Sequence, residues 1–514
     1  MMAIALPLLA FRAKHGGEWG DEGIFIGGAE RVLNGEVIYR DFQHNYPPGR
    51  SFTLAAMMSL FGKDLSVIRS LWTIFHVLAV GFSFVVARRL MPTPFACFTA
   101  LTVMGNCVFL NKTAELFLAA AILTVLMRVV EGRTKDIVAG LWLAFLGHFR
   151  HDVAVFGMLL FPVALGLRVY ADSARTEPFL RALRVRLAKA WPFLAGALLG
   201  ALPFITFLIV NDAFTIAFRE LTLSGYVANQ TLSRAFPILI GEEGIIASLL
   251  SIEAIFYIPP VAYVICAVLA LRGLRTGATD RERSAKLLIV AMFGAMLFVQ
   301  VLPRSDLGHL NKAYVPAHIL VGALIAYSVQ LIQRRPGAMR VAGALALVCS
   351  LALAGSYIGH LSYSRQSSLG SIIRLSARYA PIRFPRGVVR MRPAQREVWK
   401  EIIANMRVYS GKQGEYLVTY PAGVTVNFLV NIDNPLPFDT FRPGELAGAD
   451  RGDLIPNNPE VLDEIFARIE ETKPRFLLDI GENTNPEFVK RMERYAKRNG
   501  YEVLRGNRMS FFRR

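Results

Sequence analysis

The stretch Ser66–Ala87, SVIRSLWTIFHVLAVGFSFVVA, is predominantly apolar. It contains one charged residue, Arg69, and is followed at once by Arg88 and Arg89. Its length matches the ~20 apolar residues with which an α-helix crosses the hydrocarbon core of a bilayer. Because lipid offers no partner for backbone N–H and C=O groups, such a run must be helical. The stretch therefore predicts a membrane-spanning helix with a basic end.

Apolar blocks of similar length recur along the chain. Hydrophobic residues make up 54% of the 514 residues and charged residues 19%, whereas soluble domains carry about a quarter charged residues. Met1–Phe11 is also apolar but too short to span a bilayer comfortably, and we interpret it as a short first helix or one whose beginning precedes this chain. With 66–87, the blocks predict about ten membrane-spanning helices: 93–110, 114–130, 136–149, 152–170, 190–210, 245–271, 285–303, 313–332 and 338–361.

Basic residues mark alternate connections between these blocks. Cytoplasmic loops carry an excess of Lys and Arg, so this pattern orients the chain in the inner (plasma) membrane. The connection 12–65 and everything after 362 then face outward. Blocks 136–149 and 152–170 are interpreted as two crossings. The basic residues are Arg88, Arg89, Arg128, Arg133, Lys135, Arg168, Arg175, Arg181, Arg184, Arg186, Lys189, Arg272, Arg275, Arg281, Arg283, Lys286, Arg334, Arg335 and Arg340.

The chain divides into two predicted parts. Residues 1–362 form an α-helical polytopic membrane domain with the first outward loop 12–65, and residues 363–514 form a small soluble extracytoplasmic α/β domain. In the second part the pattern predicts strands at 415–420 and 475–480, helices at 458–471 and 485–499, with Asn458 as a possible N-cap, and a final strand or hairpin at 501–512. No glycine-rich phosphate loop joins a strand to a helix there, so no nucleotide site is predicted.

The net charge of +18 does not indicate nucleic-acid binding. Most Lys and Arg residues flank apolar blocks, where they set topology. All four cysteines lie inside apolar blocks, which favours small buried side chains over a disulfide framework or a metal site.

The first outward loop contains the most informative motif of the chain. Asp21-Glu22 precedes Ile24–Leu33, which has apolar residues at helical spacing and can lie in the membrane interface as an amphipathic helix. A carboxylate at position 21 is also an ordinary N-cap. Further along come Tyr39-Arg40-Asp41-Phe42 and Tyr46-Pro47-Pro48-Gly49.

This arrangement resembles the GT-C superfamily of integral membrane glycosyltransferases, specifically the protein O-mannosyltransferase and aminoarabinose-transferase-like group. The resemblance lies in the acidic pair Asp21-Glu22, the run Ala29–Asp41 and the Pro47-Pro48 turn. It continues in Phe61-Gly62 and Arg69, the outward loop 304–309, the overall topology and the C-terminal domain. It covers most of the chain, but only the first loop is specific.

The resemblance implies a polyprenyl-phosphate-linked sugar as donor and transfer outside the cytoplasmic membrane, with inversion at the anomeric carbon. An attacking acceptor hydroxyl needs a positioned carboxylate as base. Asp21 is the candidate base, and Glu22 would orient the acceptor or hold Asp21 in place. The acceptor is a lipid, a glycan or a protein hydroxyl, and membrane lipid surrounds the enzyme.

The chain departs from the pattern before the proline of the first loop. Some members place an acid and a lysine there, and this chain has Asn45 and Tyr46. Asp41, His44 and Asp306 are the candidates for acceptor or metal contacts. The sequence leaves open whether a divalent metal takes part.

Cations that could meet the donor phosphate occur in two places. Arg150 lies with His151 and Asp152 at an outward helix end, either as an interfacial arginine or as part of a site. The loop at 304–312 contributes Arg304, His309 and Lys312, as either a polar turn or a phosphate site. Lys112 and Glu115 are interpreted as a solvated pair. The loop 211–244, with Arg219, Glu220 and Arg234, is either an ordinary solvated segment or a cover for the entrance of the donor.

Two other classes of protein are alternatives to the glycosyltransferase hypothesis. A transporter or lipid flippase would show paired repeats and polar residues at the bilayer midplane, whereas ionisable residues here cluster at outward helix ends. A polysaccharide polymerase or ligase also uses polyprenyl-linked sugars, but usually carries its key residues in a large late loop. The sequence identifies neither the sugar nor the acceptor.

Overall fold

A computed structural model describes most of the chain: residues 1–16, 21–105, 110–172, 179–222, 233–238, 252–276, 281–334, 337–363, 372–373, 376–407, 415–420, 423–437, 459–479, 486–505 and 510–513. These residues form two compact units. Unit 1 comprises Met1–Arg12, Trp72–Phe204 and Arg234–Arg374, and unit 2 comprises Ala13–Leu71, Ile205–Ser233 and Leu375–Arg514.

Helices account for most of the described residues. In chain order they are α1 Met2–Ala13, α2 Asp21–Leu33, α3 Gly49–Phe61, α4 Leu65–Arg88, α5 Thr93–Gly105, α6 Thr113–Val130, α7 Asp136–Gly147, α8 His151–Asp172, α9 Phe179–Ala188, α10 Trp191–Val210, α11 Ile258–Thr276, α12 Arg281–Val299, α13 Leu307–Leu310, α14 Tyr314–Arg334, α15 Ala338–Tyr363, α16 Pro393–Arg407, α17 Val424–Val430, α18 Pro459–Thr472 and α19 Pro486–Arg498. Residues 214–222 are also helical.

Six helical segments of the described chain are long and apolar enough to cross a membrane. They are α4, α6, α8, the segment Leu180–Val210, the segment Glu253–Thr276 and α14. The other predicted spans coincide with shorter apolar helices (α5, α7 and the apolar part of α15) or with α12, which begins with three charged residues. The chain is therefore a multi-pass membrane protein, and the predicted number of about ten crossings stays a prediction.

The stretch around Arg150 forms two helices, as predicted. α7 ends at Gly147, α8 begins at His151, and the two helices pack against each other. The sequence alone would also allow one long kinked helix here, but a polar turn separates α7 from α8.

Unit 1 is built around α6. Nearly all its residues are buried, and it packs against α7, α8, α12 and α14. Its central run Ala119–Ala121 is almost completely buried. Small side chains let helix backbones approach closely, which is how helices associate where lipid removes the hydrophobic driving force.

Glycines bring α7 and α10 into backbone contact within unit 1. A Cβ added at Gly196 would meet the carbonyl oxygen of Ile137 well inside van der Waals distance, and one at Gly140 would meet the carbonyl oxygen of Phe193. Each helix thus presents a glycine to the backbone of the other.

Unit 2 contains the sheet predicted near the C-terminus. Its order is β3 (Leu417–Tyr420), β4 (Phe476–Asp479), β6 (Ser510–Arg513) and β5 (Glu502–Arg505). β3 and β4 are parallel, with Val418 opposite Leu477, whereas β6 is antiparallel to both neighbours. The strands and hairpin expected from the sequence are confirmed, and the expected N-cap Asn458 lies outside the described residues.

The sheet is covered by the two predicted helices. α18 presents Leu462, Ile465 and Ile469 at helical spacing, and α19 presents Phe488 and Met492. These side chains are buried with Val418 and Leu477 of the sheet. Apolar residues three and four positions apart form one helix face, so each helix buries one stripe.

Several elements of unit 2 were not predicted. The segment before residue 393, for which no element was predicted, contains an antiparallel hairpin, β1 (Ala380–Phe384) with β2 (Gly387–Met391), and α16 follows it. α3 lies within the predicted first loop. The compact units group Ala13–Leu71 with the C-terminal residues, whereas the predicted division at 362 refers to the membrane and stays a prediction.

The α7–α10 contact supports a stability prediction. We expect Gly196→Ala to lower the free energy of unfolding by about 1–3 kcal/mol, because the added methyl group forces the two backbones apart. Thermal unfolding of the purified protein in detergent measures this.

Gly355→Ala is the matched control, since a Cβ there meets nothing within 4 Å. It should leave the unfolding temperature unchanged or slightly raised. Equal unfolding temperatures for both variants would contradict the close approach.

Candidate functional site

The predicted acid pair lies in the first turn of α2, in unit 2. Asp21 is half-buried, and Glu22 is fully buried. Carboxylates are stabilised there because the N-terminal end of a helix carries partial positive charge. All residues of Glu22–Ala29 are buried. The interpretation of this segment as a helix lying in the membrane interface was therefore wrong.

Arg69 on α4 holds Glu22 in a buried ion pair. Its Nη2 donates to Glu22 Oε2 at 3.2 Å and its Nε to Oε1 at 3.4 Å. The same guanidinium donates to the carbonyl oxygens of Ala13 at 2.9 Å and Gly16 at 3.0 Å. A buried ion pair needs such additional hydrogen bonds to offset the loss of solvation. Glu22 therefore anchors the first turn of α2.

Residues of the C-terminal part of the chain pack on α2 within unit 2. A Cβ at Gly23 would come within 2.7 Å of the backbone nitrogen of Thr425, so the helix can approach this closely only with glycine there. Glu30 forms an ion pair with Arg386. Burial raises the pKa of Glu30 despite the opposing charge of Arg386.

A polar cavity of about 680 Å³ lies beside α2 in unit 2. Six carboxylates and two arginines line it, so it suits a polar or cationic group better than a lipid tail. The charged lining residues are Glu30, Glu36, Asp41, Asp433, Glu464, Glu471, Arg31 and Arg468.

His44 is a buried residue next to α2. Its Nε2 lies 3.4 Å from Ser51 Oγ, and a Cβ at Gly28 of α2 would come within 2.9 Å of that oxygen. Burial and the nearby charge of Arg50 lower the pKa of His44 to about 3. The imidazole is therefore neutral at physiological pH.

Arg50 lies under aromatic rings of the same loop. Its guanidinium carbon is 4.4 Å from the centre of the Phe25 ring and 5.5 Å from that of Tyr46. Tyr39, whose φ of 72° is uncommon for a residue with a side chain, donates its hydroxyl to the Tyr46 carbonyl oxygen at 2.7 Å. The motif quoted from the sequence thus folds as a compact support for α2.

Asp41 is largely engaged by its neighbours. It accepts hydrogen bonds from Arg40 at 2.8 Å and from the backbone of Val37 at 2.7 Å. The hydrogen bond from Arg40 lowers the pKa of Asp41. Within the described residues, no three His, Cys, Asp or Glu side chains are grouped so that they could hold a metal ion.

Glu220 joins the first loop in unit 2, although the sequence indicated a solvated position. It is 4% exposed. Burial raises its pKa to about 7, against the effect of a hydrogen bond with Gln43. Its charge also contributes to the raised pKa of Tyr39. An acid that titrates near neutrality is a candidate for proton transfer.

Arg150 in unit 1 is the centre of a buried ionic network. It donates to Glu115, and its Nε donates to Asp152 at 2.8 Å. Lys112 Nζ lies 3.8 Å from Glu115. The expectation that Lys112 and Glu115 are solvated was wrong, because their side chains are 9% and 1% exposed. Two positive and two negative charges leave this network neutral.

Two buried asparagines adjoin the network. Asn311 Nδ2 donates to the Lys112 carbonyl oxygen at 3.3 Å, and this bond connects the network to the loop at 304–312. Asn111 is fully buried, and its side-chain amide has no hydrogen-bond partner among the residues that the structure describes. Neither residue could be identified from the sequence, since an asparagine near a helix end is common in turns.

The loop at 304–312 brings three predicted residues together in unit 1. Asp306 Oδ2 lies 2.9 Å from His309 Nδ1 and 3.4 Å from Arg304 Nε. Burial alone would raise the pKa of Asp306, but the hydrogen bonds and charge of His309, together with Arg304, hold it below its usual value. The side chain of Lys312 lies outside what the structure describes.

The candidate residues thus fall into two sets. Asp21, Glu22, Asp41 and His44 belong to unit 2, whereas Arg150, Arg304, Asp306 and His309 belong to unit 1. Sequence reasoning missed Glu220 and the burial of Glu115. One sequence signal could have indicated that Glu115 is buried in an ion pair. It is a charged residue at the start of an apolar block, where an unpaired charge is costly.

Solved structures with a similar fold exist. ArnT from Cupriavidus metallidurans bound to undecaprenyl phosphate has a TM-score of 0.54 and 14% identity, over 99% of this chain and 96% of that chain. ArnT in the apo state gives the same values. An Archaeoglobus fulgidus oligosaccharyltransferase tethered with an acceptor peptide has a TM-score of 0.48 and 12% identity, over 93% and 68%. No protein-family model and no curated protein matches the sequence.

The ion pair between Glu22 and Arg69 leads to a stability prediction. We expect Arg69→Met to cost about 3–5 kcal/mol in free energy of unfolding, because it leaves a buried carboxylate uncompensated. Adding Glu22→Gln should recover part of that loss. Denaturation in detergent measures both.

Arg40→Met is the matched control, since Arg40 is 44% exposed and its pair with Asp41 lies near solvent. Exposed pairs contribute little to stability because solvent screens them. A loss for Arg69→Met no larger than that of the control would show that the pair does not anchor α2.

Glu220 should make stability depend on pH. Its folded pKa of about 7 exceeds the ordinary value, so folding takes up a proton between about pH 4.5 and pH 7. Stability should therefore fall as pH rises through this window, by roughly 2–3 kcal/mol between pH 5 and pH 8. Thermal unfolding of Glu220→Gln at both pH values should lack this component.

Glu464→Gln, which changes an exposed acid on α18, should keep the pH dependence of the original protein. An unaltered pH dependence in Glu220→Gln would rule out Glu220 as its source.

Proposed function

We propose that this chain, which has the GT-C fold seen in ArnT, is an inverting glycosyltransferase. It moves a sugar from a polyprenyl-phosphate donor to an acceptor hydroxyl on the outer face of the cytoplasmic membrane. The observation that carries the proposal is the likeness to ArnT, captured with undecaprenyl phosphate, over almost the whole of both chains. This fold favours the glycosyltransferase hypothesis over the hypotheses of a transporter or a polysaccharide polymerase.

Asp21 acts as the general base in this proposal. The acceptor oxygen attacks the anomeric carbon and passes its proton to the Asp21 carboxylate, while the bond from that carbon to the phosphate oxygen breaks. The products are the inverted glycoside and polyprenyl phosphate. A positioned carboxylate contributes typically 10²–10⁴-fold to such a step. The half-buried position of Asp21 at the start of α2 supports this role.

Glu22 has a positioning role. Its carboxylate is already bound to Arg69, so it is not the proton acceptor. By fixing the first turn of α2, it fixes the direction in which Asp21 projects. Preorganisation of this kind saves the entropy of aligning the reacting groups.

Cationic and hydrogen-bonding side chains bind the donor phosphate in this proposal. Arg304, His309 and Lys312 supply positive charge or hydrogen bonds to the leaving phosphate, whose negative charge develops as the glycosidic bond breaks. Arg150 is already bonded to Glu115 and Asp152, so it contributes mainly by holding that polar region in place.

Acceptor contacts are proposed for the cavity beside α2, through Asp41. Asp306 holds His309 in place through their hydrogen bond, and the buried His44 packs against Phe25 of α2. A divalent metal is not required by this scheme, which uses protein cations for the phosphate. The first loop and the C-terminal domain would both lie outside the inner membrane.

The test uses the purified full-length protein and a panel of polyprenyl-phosphate sugars. Asp21→Asn should lower turnover by roughly 10²–10⁴-fold while membrane insertion and unfolding temperature stay unchanged.

Asp172→Asn is the matched control, because Asp172 is an exposed acid at the end of α8. Its turnover should equal that of the original protein. Retained activity in a correctly inserted Asp21→Asn protein would remove Asp21 from the mechanism.

A further inference from the structure

An apolar crevice of about 540 Å³ opens on the surface of unit 1. Four helices form it: α8, α9, α11 and α12. Its size lies within the range of about 300–1,000 Å³ typical of small-ligand sites. Apolar residues that line it include Pro162, Leu183, Leu187, Leu271, Leu274 and Leu288.

Parts of this lining remain uncovered by protein. Leu271 is 44% exposed and Leu187 40% exposed. In a membrane protein, lipid covers such a surface. A lipid acyl chain stays bound for longer in a concave surface than on a flat one. The crevice is therefore shaped for an acyl chain.

The crevice has one apolar end and one basic end. On α8 its lining runs from Pro162 to Tyr170, about 12 Å along the helix axis. Arg275, at the C-terminal end of α11, belongs to the lining, and the guanidinium carbon of Arg281 lies 6.0 Å from the Tyr170 ring centre. Leu288 lies about two turns further along α12 than Arg281.

The basic end carries charge that no described carboxylate neutralises. Arg275 is exposed and forms no ion pair with any residue that the structure describes. On α9 the exposed Arg184 follows Leu183, which lines the crevice. A basic edge next to an apolar slot complements a lipid that has an anionic headgroup.

We propose that this crevice binds one anionic phospholipid. Its acyl chain lies along α8 between α9 and α11, and its phosphate meets Arg275 and Arg281. The positive-inside rule assigns this end of the helices to the cytoplasmic leaflet. The site is separate from the candidate catalytic residues and does not rest on the proposed function.

Native mass spectrometry of the full-length protein in detergent tests the proposal. Phosphatidylglycerol and phosphatidylcholine with identical acyl chains are titrated against the original protein and two variants. Arg275→Gln should weaken phosphatidylglycerol binding about fivefold, which corresponds to the loss of one charge contact. Gly166→Phe should weaken it at least tenfold, because Gly166 lines the crevice and a ring there fills it.

Controls separate the site from general effects of charge and bulk. Arg88→Gln removes an exposed arginine at the end of α4, and Gly355→Phe adds a ring where a Cβ meets nothing within 4 Å. Neither should change lipid binding. Since Arg275 is exposed, Arg275→Gln is expected to fold even if Gly166→Phe does not.

Three results would overturn the proposal. The first is equal binding of the two phospholipids by the original protein, and the second is equal binding of phosphatidylglycerol by Arg275→Gln and Arg88→Gln. The third is displacement of phosphatidylglycerol by a lower concentration of polyprenyl phosphate, which would make the crevice a site for the donor's carrier lipid.

Discussion

The ion pair between Glu22 and Arg69 is the contact on which the arrangement of the candidate catalytic loop depends. The guanidinium of Arg69, near the start of α4, binds Glu22 in the first turn of α2. It also donates to the carbonyl oxygens of Ala13 and Gly16. Both side chains are buried, so neither can leave without exposing an uncompensated charge to a low-dielectric interior. Asp21, one residue earlier, is thereby held at a fixed point at the start of the helix.

Unit 1 shows the same physical constraint at a second place. Charges near apolar helices are costly unless they are paired, and the network of Lys112, Glu115, Arg150 and Asp152 pairs each of them. Its opposite charges balance, and the two carboxylates hold Arg150 in place. In the loop at 304–312, Arg304 and His309 share the single carboxylate of Asp306 in the same way.

The sequence predicted the apolar helices, the break before His151 and the C-terminal strands, because these depend on local hydrophobic patterns. The fold that the resemblance implies is confirmed, since the chain is similar in structure to ArnT over almost its whole length. The sequence did not predict the partners of Glu22, Glu115 and Glu220, which lie on other elements and follow only from tertiary packing. The packing of Gly23 against Thr425 is of the same kind, since about 400 residues separate the two. The hairpin β1–β2 was missed because its basic, proline-containing sequence is typical of a connector.

Inverting transfer is tested by following one turnover on a polyprenyl-phosphate sugar with a chemically defined anomeric centre. The purified protein should release polyprenyl phosphate in equal amount to the glycoside formed, and nuclear magnetic resonance should show the opposite anomeric configuration in the product. Retention of configuration, or no release of polyprenyl phosphate from any donor in the panel, would contradict direct attack by an acceptor hydroxyl activated at Asp21.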